Sequence, residues 1–168
     1  MKRKLRALLA LVLTLLLLCG CAAAPAEAGE NTCTISISCA TLLDKTDALA
    51  PEKAELIPPD GWLLPETQVT FSEGESVFDV LQRVCQSNKL HMEFSKTPVY
   101  DSAYIEGIGN LYEFDAGALS GWVYSVNGWF PNYGCSRYEL KDGDVIRWQY
   151  TCDLGADVGA ELDEAQIQ

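Results

Sequence analysis

GWVYSVNGWFPNYG, residues 121–134, is the stretch on which the reading of this fold turns. Five of its fourteen residues are aromatic: Trp122, Tyr124, Trp129, Phe130 and Tyr133. Asn127-Gly128 lies at the centre. Asn-Gly is the preferred pair for a type I′ turn, whose two central residues both need positive φ. The stretch therefore predicts a hairpin, with strand 121–126 returning over 129–131 until Pro131, which has no N–H to donate, ends the ladder. On the outgoing strand Trp122, Tyr124 and Val126 share one face, and Val123 and Ser125 the other.

Those rings divide into two groups. Trp122, Tyr124 and Trp148 are first of all core or cross-strand packing, because one face of a sheet covered by a single helix meets the core. Trp129, Phe130, Asn132 and Tyr133 surround the tip instead. Loop tips seldom bury three large rings for packing alone, and rigid aromatics beside an adaptable amide are what a recognition surface uses. The candidate ligand-binding residues are Trp129, Phe130, Asn132 and Tyr133, with Trp122 and Tyr124 behind them. Trp62, in PPDGWLLPE, is expected to pin its own segment onto the sheet.

Outward from the hairpin, the pattern predicts few elements. CTISISC (33–39) alternates, with Cys33, Ile35, Ile37 and Cys39 on one face of a half-buried strand. Residues 40–66 carry four prolines and form an excursion with one short helix. TQVTF (67–71) is a short strand. Ser76-x-x-Asp79 reads as a capping box with Asp in place of the usual Glu or Gln. It opens a helix whose apolar positions Val77, Leu81, Val84 and Cys85 follow helical spacing and which ends near Asn88. Weak extended segments follow around Met92, Phe94, Val99, Tyr104 and Leu111–Phe114. Asp142-Gly143-Asp144 turns the chain into a last strand, VIRWQYTC (145–152). One helix cannot cover both faces of a parallel sheet, so the class is α+β, a mixed sheet packed on one main helix.

Four of the 12 basic residues lie within the first six positions, which leaves 8 against 24 acidic ones beyond residue 21. Such a domain repels nucleic acid and anionic lipid head groups. Residues 1–21, MKRKLRALLALVLTLLLLCGC, join a cationic start to an apolar run and small residues, the grammar of an export signal. Leu18-Cys19-Gly20-Cys21 resembles the lipobox of bacterial lipoproteins. That resemblance implies a cut after Gly20 and acylation of Cys21, with the domain on the outer face of the cell membrane. An uncleaved anchor helix is the alternative. Residues 22–31 read as a tether, 32–154 as the domain, and 155–168 as an acidic disordered tail.

Five cysteines follow Cys21: Cys33, Cys39, Cys85, Cys135 and Cys152. None forms a CxxC pair, so no zinc site is indicated. Outside the cytoplasm disulfides are permitted. Cys33 and Cys39, roughly 20 Å apart on one strand, cannot bridge each other. The expectation is one bridge among Cys39, Cys85 and Cys152, gathered at one end of the sheet.

TQVTFSEGESVFDVLQ, GWVYSVNGWFPNYG and LKDGDVIRWQYT, in this order, resemble a bacterial family of unknown function related to the C-terminal β-grasp domain of transcobalamin and intrinsic factor. The residues that carry the likeness are Gly121, Trp122, Tyr124, Val126, Asn127 and Gly128, then Gly143, Asp144 and Trp148. It spans roughly residues 33–154. It implies a β-grasp fold and binding of a corrinoid, which in the vertebrate carriers is capped on one face by this domain and held on the other by a helical barrel. No barrel is encoded in this sequence.

Catalysis is not indicated. The single histidine, His91, lies six residues after Cys85, but a cysteine on the apolar face of a helix is far more often a buried thiol. No GxSxG, HExxH or phosphate-binding loop is present, and no cofactor motif. The expectation is a lipid-anchored binding module for a small molecule such as a corrinoid. The alternatives are a protein- or peptide-binding surface module that uses a free sheet edge, and a passive part of a larger assembly. If Cys21 carries the acyl chain, Cys21→Ser moves the protein from the detergent phase to the aqueous phase in a partition assay and removes the lipid mass from the mature N-terminus.

Overall fold

A computed structural model describes residues 30–97 and 102–160. Cys21, the export segment 1–21, most of the tether and residues 161–168 of the tail lie outside the described residues, as does Val99. Among the described residues, seven strands, one main helix and several single turns make an α+β architecture dominated by sheet.

The first strand, β1 (Asn31–Ser38), runs through the centre of a four-stranded sheet. Antiparallel β2 (Trp62–Phe71) lies on one side and parallel β7 (Val145–Thr151) on the other. Beyond β7 lies antiparallel β6 (Gly121–Val126), so the order is β2-β1-β7-β6. β1 starts at Asn31, so the last residue expected in the tether is already strand. Its apolar face is fully buried, and Ser36 and Ser38 on the other face are buried as well. A strand flanked on both sides shades small hydroxyls, so it is more than half-buried. β2 is longer than the expected 67–71 and runs through Pro65, which an edge strand tolerates because the missing N–H points away from the ladder. The register slips opposite that point, between Ile35 and Ile37.

A smaller sheet, β3-β4-β5, is built from Met92–Thr97, Ser102–Ile108 and Leu111–Tyr112. The excursion holds one short helix, α1 (Pro51–Ala54), with proline at its start, where the lost donor costs nothing. Trp62 does not pin this segment. It begins β2 and is 39% exposed.

The main helix, α2 (Val77–Ser87), starts as its cap foretold. The Asp79 amide donates to Ser76 Oγ at 3.3 Å, and the Ser76 amide donates to Asp79 Oδ2 at 2.8 Å. Val77, Phe78, Val80, Leu81, Val84 and Cys85 turn inward. They join one core cluster with Ile35 and Ile37 of β1, Ile146, Trp148 and Tyr150 of β7, and Trp122, Tyr124 and Val126 of β6. Phe78 meets Phe94 of β3 edge-on at 4.8 Å, which couples the helix to the smaller sheet.

Asn127 (φ 54°) and Gly128 (φ 82°) both occupy the left-handed region, as a type I′ turn demands. The returning strand is shorter than expected. Only Val126 and Trp129 pair across the turn. β6 pairs instead along its whole length with β7, from Gly121 opposite Thr151 to Val126 opposite Ile146. Trp129 turns off into the Pro131 loop, and β7 offers a complete ladder where that loop offers one rung.

The tip is fastened to β7 by side chains. Asn127 Nδ2 donates to Asp144 Oδ1 at 2.8 Å, and Asn127 Oδ1 accepts from the Val145 amide at 2.9 Å. The other Asp144 oxygen, Oδ2, accepts from the Lys141 amide at 2.9 Å. Asp144 is 4% exposed, so each lost bond would leave a carboxylate oxygen buried and unpaired. Asn127→Ala is expected to destabilise the domain by roughly 2–3 kcal/mol in urea unfolding, from two lost bonds plus the loss of asparagine's tolerance of positive φ. Asn127→Gly, which keeps the backbone freedom, should cost less. A neutral Asn127→Gly would show the side-chain clamp to be inert.

Candidate functional site

The β6–β7 register sets rings opposite one another. Trp122 pairs with Tyr150 and Tyr124 with Trp148. Trp122 meets Tyr150 edge-on at 5.3 Å, and Tyr124 stacks on Trp148 at 5.3 Å with 30° between planes. Each such pair adds about 0.5–1.5 kcal/mol beyond area burial. The polar ends are used: Trp122 Nε1 donates to the Leu111 carbonyl at 2.8 Å, and Tyr150 Oη donates to the Tyr112 carbonyl at 2.6 Å. Tyr124 Oη donates to the Tyr133 carbonyl at 2.9 Å, which fixes the loop after the hairpin over the ring stack. Trp148 differs. Its Nε1 is buried without an acceptor among the described residues.

A cavity of about 520 Å³ opens beside these rings. Its floor holds Trp122, Tyr124 and Trp148 of the large sheet. One wall is the Ser102–Ile105 end of β4, and the other is the loop from Phe130 to Arg137. Gly134 lets that loop approach β4 closely, since a Cβ there would stand 2.4 Å from Ser102 Oγ. Of the six residues marked from sequence, Trp122, Tyr124, Phe130, Asn132 and Tyr133 line this one cavity. Trp122 and Tyr124 are each 8% exposed, so they serve the core and the cavity floor at once. Trp129 is not in the wall. It stands 52% exposed at the tip, edge-on to Tyr133 at 6.0 Å. Sequence reasoning missed the β4 wall and Arg137, which come from weakly patterned stretches, and Leu154 beyond β7, which also lines the cavity.

The bridge expected among Cys39, Cys85 and Cys152 is not formed; all five described cysteines are free. Their surroundings differ. Cys85 lies on the buried face of α2 with burial alone acting on it, Cys39 feels Asp60, and Cys152 sits beside Lys45, Asp157 and Thr41. The disordered tail is likewise corrected for residues 155–160. Gly155 donates to Thr151 Oγ1 at 2.7 Å, a single helical turn Ala156–Val158 follows, and Asp157 accepts from Thr151 and from the Cys152 amide. Strand-end hydroxyl and amide groups thus recruit the first part of an acidic stretch that composition alone marks as unstructured.

Burial pushes the thiols up from their ordinary value of 9.0, to about 11 at Cys33 and Cys39 and to about 12 at Cys85 and Cys135. A thiol this reluctant to ionise is a poor nucleophile, so pairing Cys85 with the exposed His91 has no chemical support. Folded values above the unfolded ones stabilise the native state fully below about pH 9. That contribution is lost as pH climbs through 11 to 12. The melting temperature should therefore fall steeply above about pH 9, and Cys85 and Cys135 should resist iodoacetamide at pH 8 until the protein unfolds.

Among the described residues no helix is long and apolar enough to cross a membrane, and no three His, Cys, Asp or Glu side chains come together to hold a metal ion. In comparison with known proteins, no curated protein matches this chain. Solved structures do. A Ruminococcus gnavus protein described as a candidate metal-binding protein aligns over 73% of this chain and 97% of its own, with 14% identity and a TM-score of 0.43. Haptocorrin in complex with Cbi aligns over 79% of this chain but only 28% of its own, with 12% identity and a TM-score of 0.48. Residues 74–152, from the turn before α2 through β7, match the model of a domain of unknown function, DUF4430.

Proposed function

We propose that this protein is a non-catalytic binding module, exported and tethered to the outer face of the cell membrane through acylated Cys21, which takes a small molecule into the cavity between β6, β4 and the 130–137 loop. The observation that carries the reading is the convergence of five marked residues on one cavity. Trp122, Tyr124, Phe130, Asn132 and Tyr133 come from a floor and a loop of different elements, yet line the same space. At about 520 Å³ it lies within the usual range for ligand sites, and it is lined mainly by rings and apolar side chains with few polar groups, as such sites are. The sheet order, with a parallel β1–β7 centre, antiparallel flanks and one helix after the second strand, supports a β-grasp reading.

A corrinoid is the first candidate ligand, because the three motifs resemble those of the transcobalamin-related family. The aromatic floor offers ring contacts to a broad ring system. Adding cobalamin should quench tryptophan fluorescence, since Trp122 and Trp148 line the cavity. At a hundredfold excess over Kd the native state gains about 2.7 kcal/mol and the melting temperature rises by several degrees. No quenching and no thermal shift at high micromolar cobalamin would reject the corrinoid. One observation favours a second reading, a surface protein as partner: Trp129 is half exposed at the tip and outside the cavity wall. Trp129→Ala separates the two, leaving cobalamin binding intact under the first and abolishing capture of a surface protein under the second.

A further inference from the structure

The chain carries 24 acidic residues against 12 basic ones. The cavity inverts that balance. Among the described residues that line it there is no Asp or Glu, and the one charged side chain is Arg137. The other two described arginines are engaged with acids, Arg83 with Glu75 and Arg147 with Glu66 at 3.4 Å. Arg137 forms no ion pair among the described residues, although acids surround the domain. The buried side-chain polar atom of the lining that lacks a partner, Trp148 Nε1, is likewise a donor. Two of the three tyrosine hydroxyls of the lining are already committed: Tyr124 Oη to the Tyr133 carbonyl, and Tyr104 Oη to Glu113.

We infer that the ligand of this cavity is an anion, a flat apolar body that lies against Trp122, Tyr124 and Phe130 and carries a carboxylate, sulfonate or phosphate group held by Arg137. The inference rests on the reading of the cavity as a ligand site and not on the corrinoid, whose amide-fringed ring without net negative charge it would exclude as the occupant. Guanidinium groups bind such oxyanions through paired, charge-assisted hydrogen bonds. No carboxylate lines the cavity, although Glu113 holds the hydroxyl of the lining Tyr104, and the net negative charge of the chain disfavours anions in general. Arg137 would thereby act as both attraction and address.

Two dyes that differ in one group test this: anilinonaphthalene sulfonate, an anion, and N-phenylnaphthylamine, the same rings without the sulfonate. Fluorescence titration of the intact protein at low salt should show the sulfonate binding about tenfold tighter, the equivalent of one charge-assisted contact. Arg137→Gln should abolish that preference and leave the neutral dye within about twofold, whereas Arg137→Lys should keep part of it. Arg137 is exposed, so these variants are expected to keep the melting temperature of the unaltered protein within a few degrees. Phe130→Ala should weaken both dyes alike. Equal binding of the two dyes, or a sulfonate preference that survives Arg137→Gln, overturns the anion while the cavity stands. Failure of both dyes to bind, or indifference of both to Phe130→Ala, overturns the cavity as a ligand site and the anion with it.

Discussion

The structure depends on a buried carboxylate. Asp144 closes the turn before β7 through the Lys141 amide and grips the Asn127 side chain, which in turn accepts from the Val145 amide. The tip of one hairpin and the start of the neighbouring strand are thus one hydrogen-bonded unit. Strand pairing has a period of two, so a slip by one residue would turn every ring on β6 to the wrong face. The clamp excludes that slip. Its charge is tolerated inside because both oxygens are satisfied.

From that register the aromatic floor follows. Trp122 stands over Tyr150 and Tyr124 over Trp148 because Val126 stands opposite Ile146. The polar ends of these rings then gather the smaller sheet and the loop around them: Trp122 binds the Leu111 carbonyl, Tyr150 the Tyr112 carbonyl, and Tyr124 the Tyr133 carbonyl. One set of side chains therefore fills the core, joins the two sheets and floors the cavity. A ring with an apolar body and a polar edge suits such a position. Gly134 completes the arrangement by allowing the loop to lie against β4 at a distance that any side chain would prevent.

The cysteines show how far composition misleads. Five cysteines in a chain with an export-like start lead to the expectation of a bridge, yet the described thiols stand as small apolar side chains, four of them sealed in the core and held above their ordinary pKa by that burial. The cavity shows the reverse. Residues without a pattern of their own, Ser102 to Ile105 and Arg137, become its walls because the chain returns there from far along the sequence.

Local chemistry determined much of this protein. Period-two alternation placed β1 and β7, Ser76 and Asp79 placed the start of α2, and Asn127-Gly128 placed the turn, since each reflects a backbone preference expressed within a few residues. The rings around that turn were legible as site candidates for the same reason. Only tertiary structure decided that β6 would pair with β7 instead of returning over 129–131, that Trp129 would stand outside while Phe130 and Tyr133 turned to the cavity, and that Arg137 would be its charged residue. These outcomes depend on contacts between segments distant in sequence, where competing ladders, close approaches and shared burial set the balance, and no local pattern records that competition.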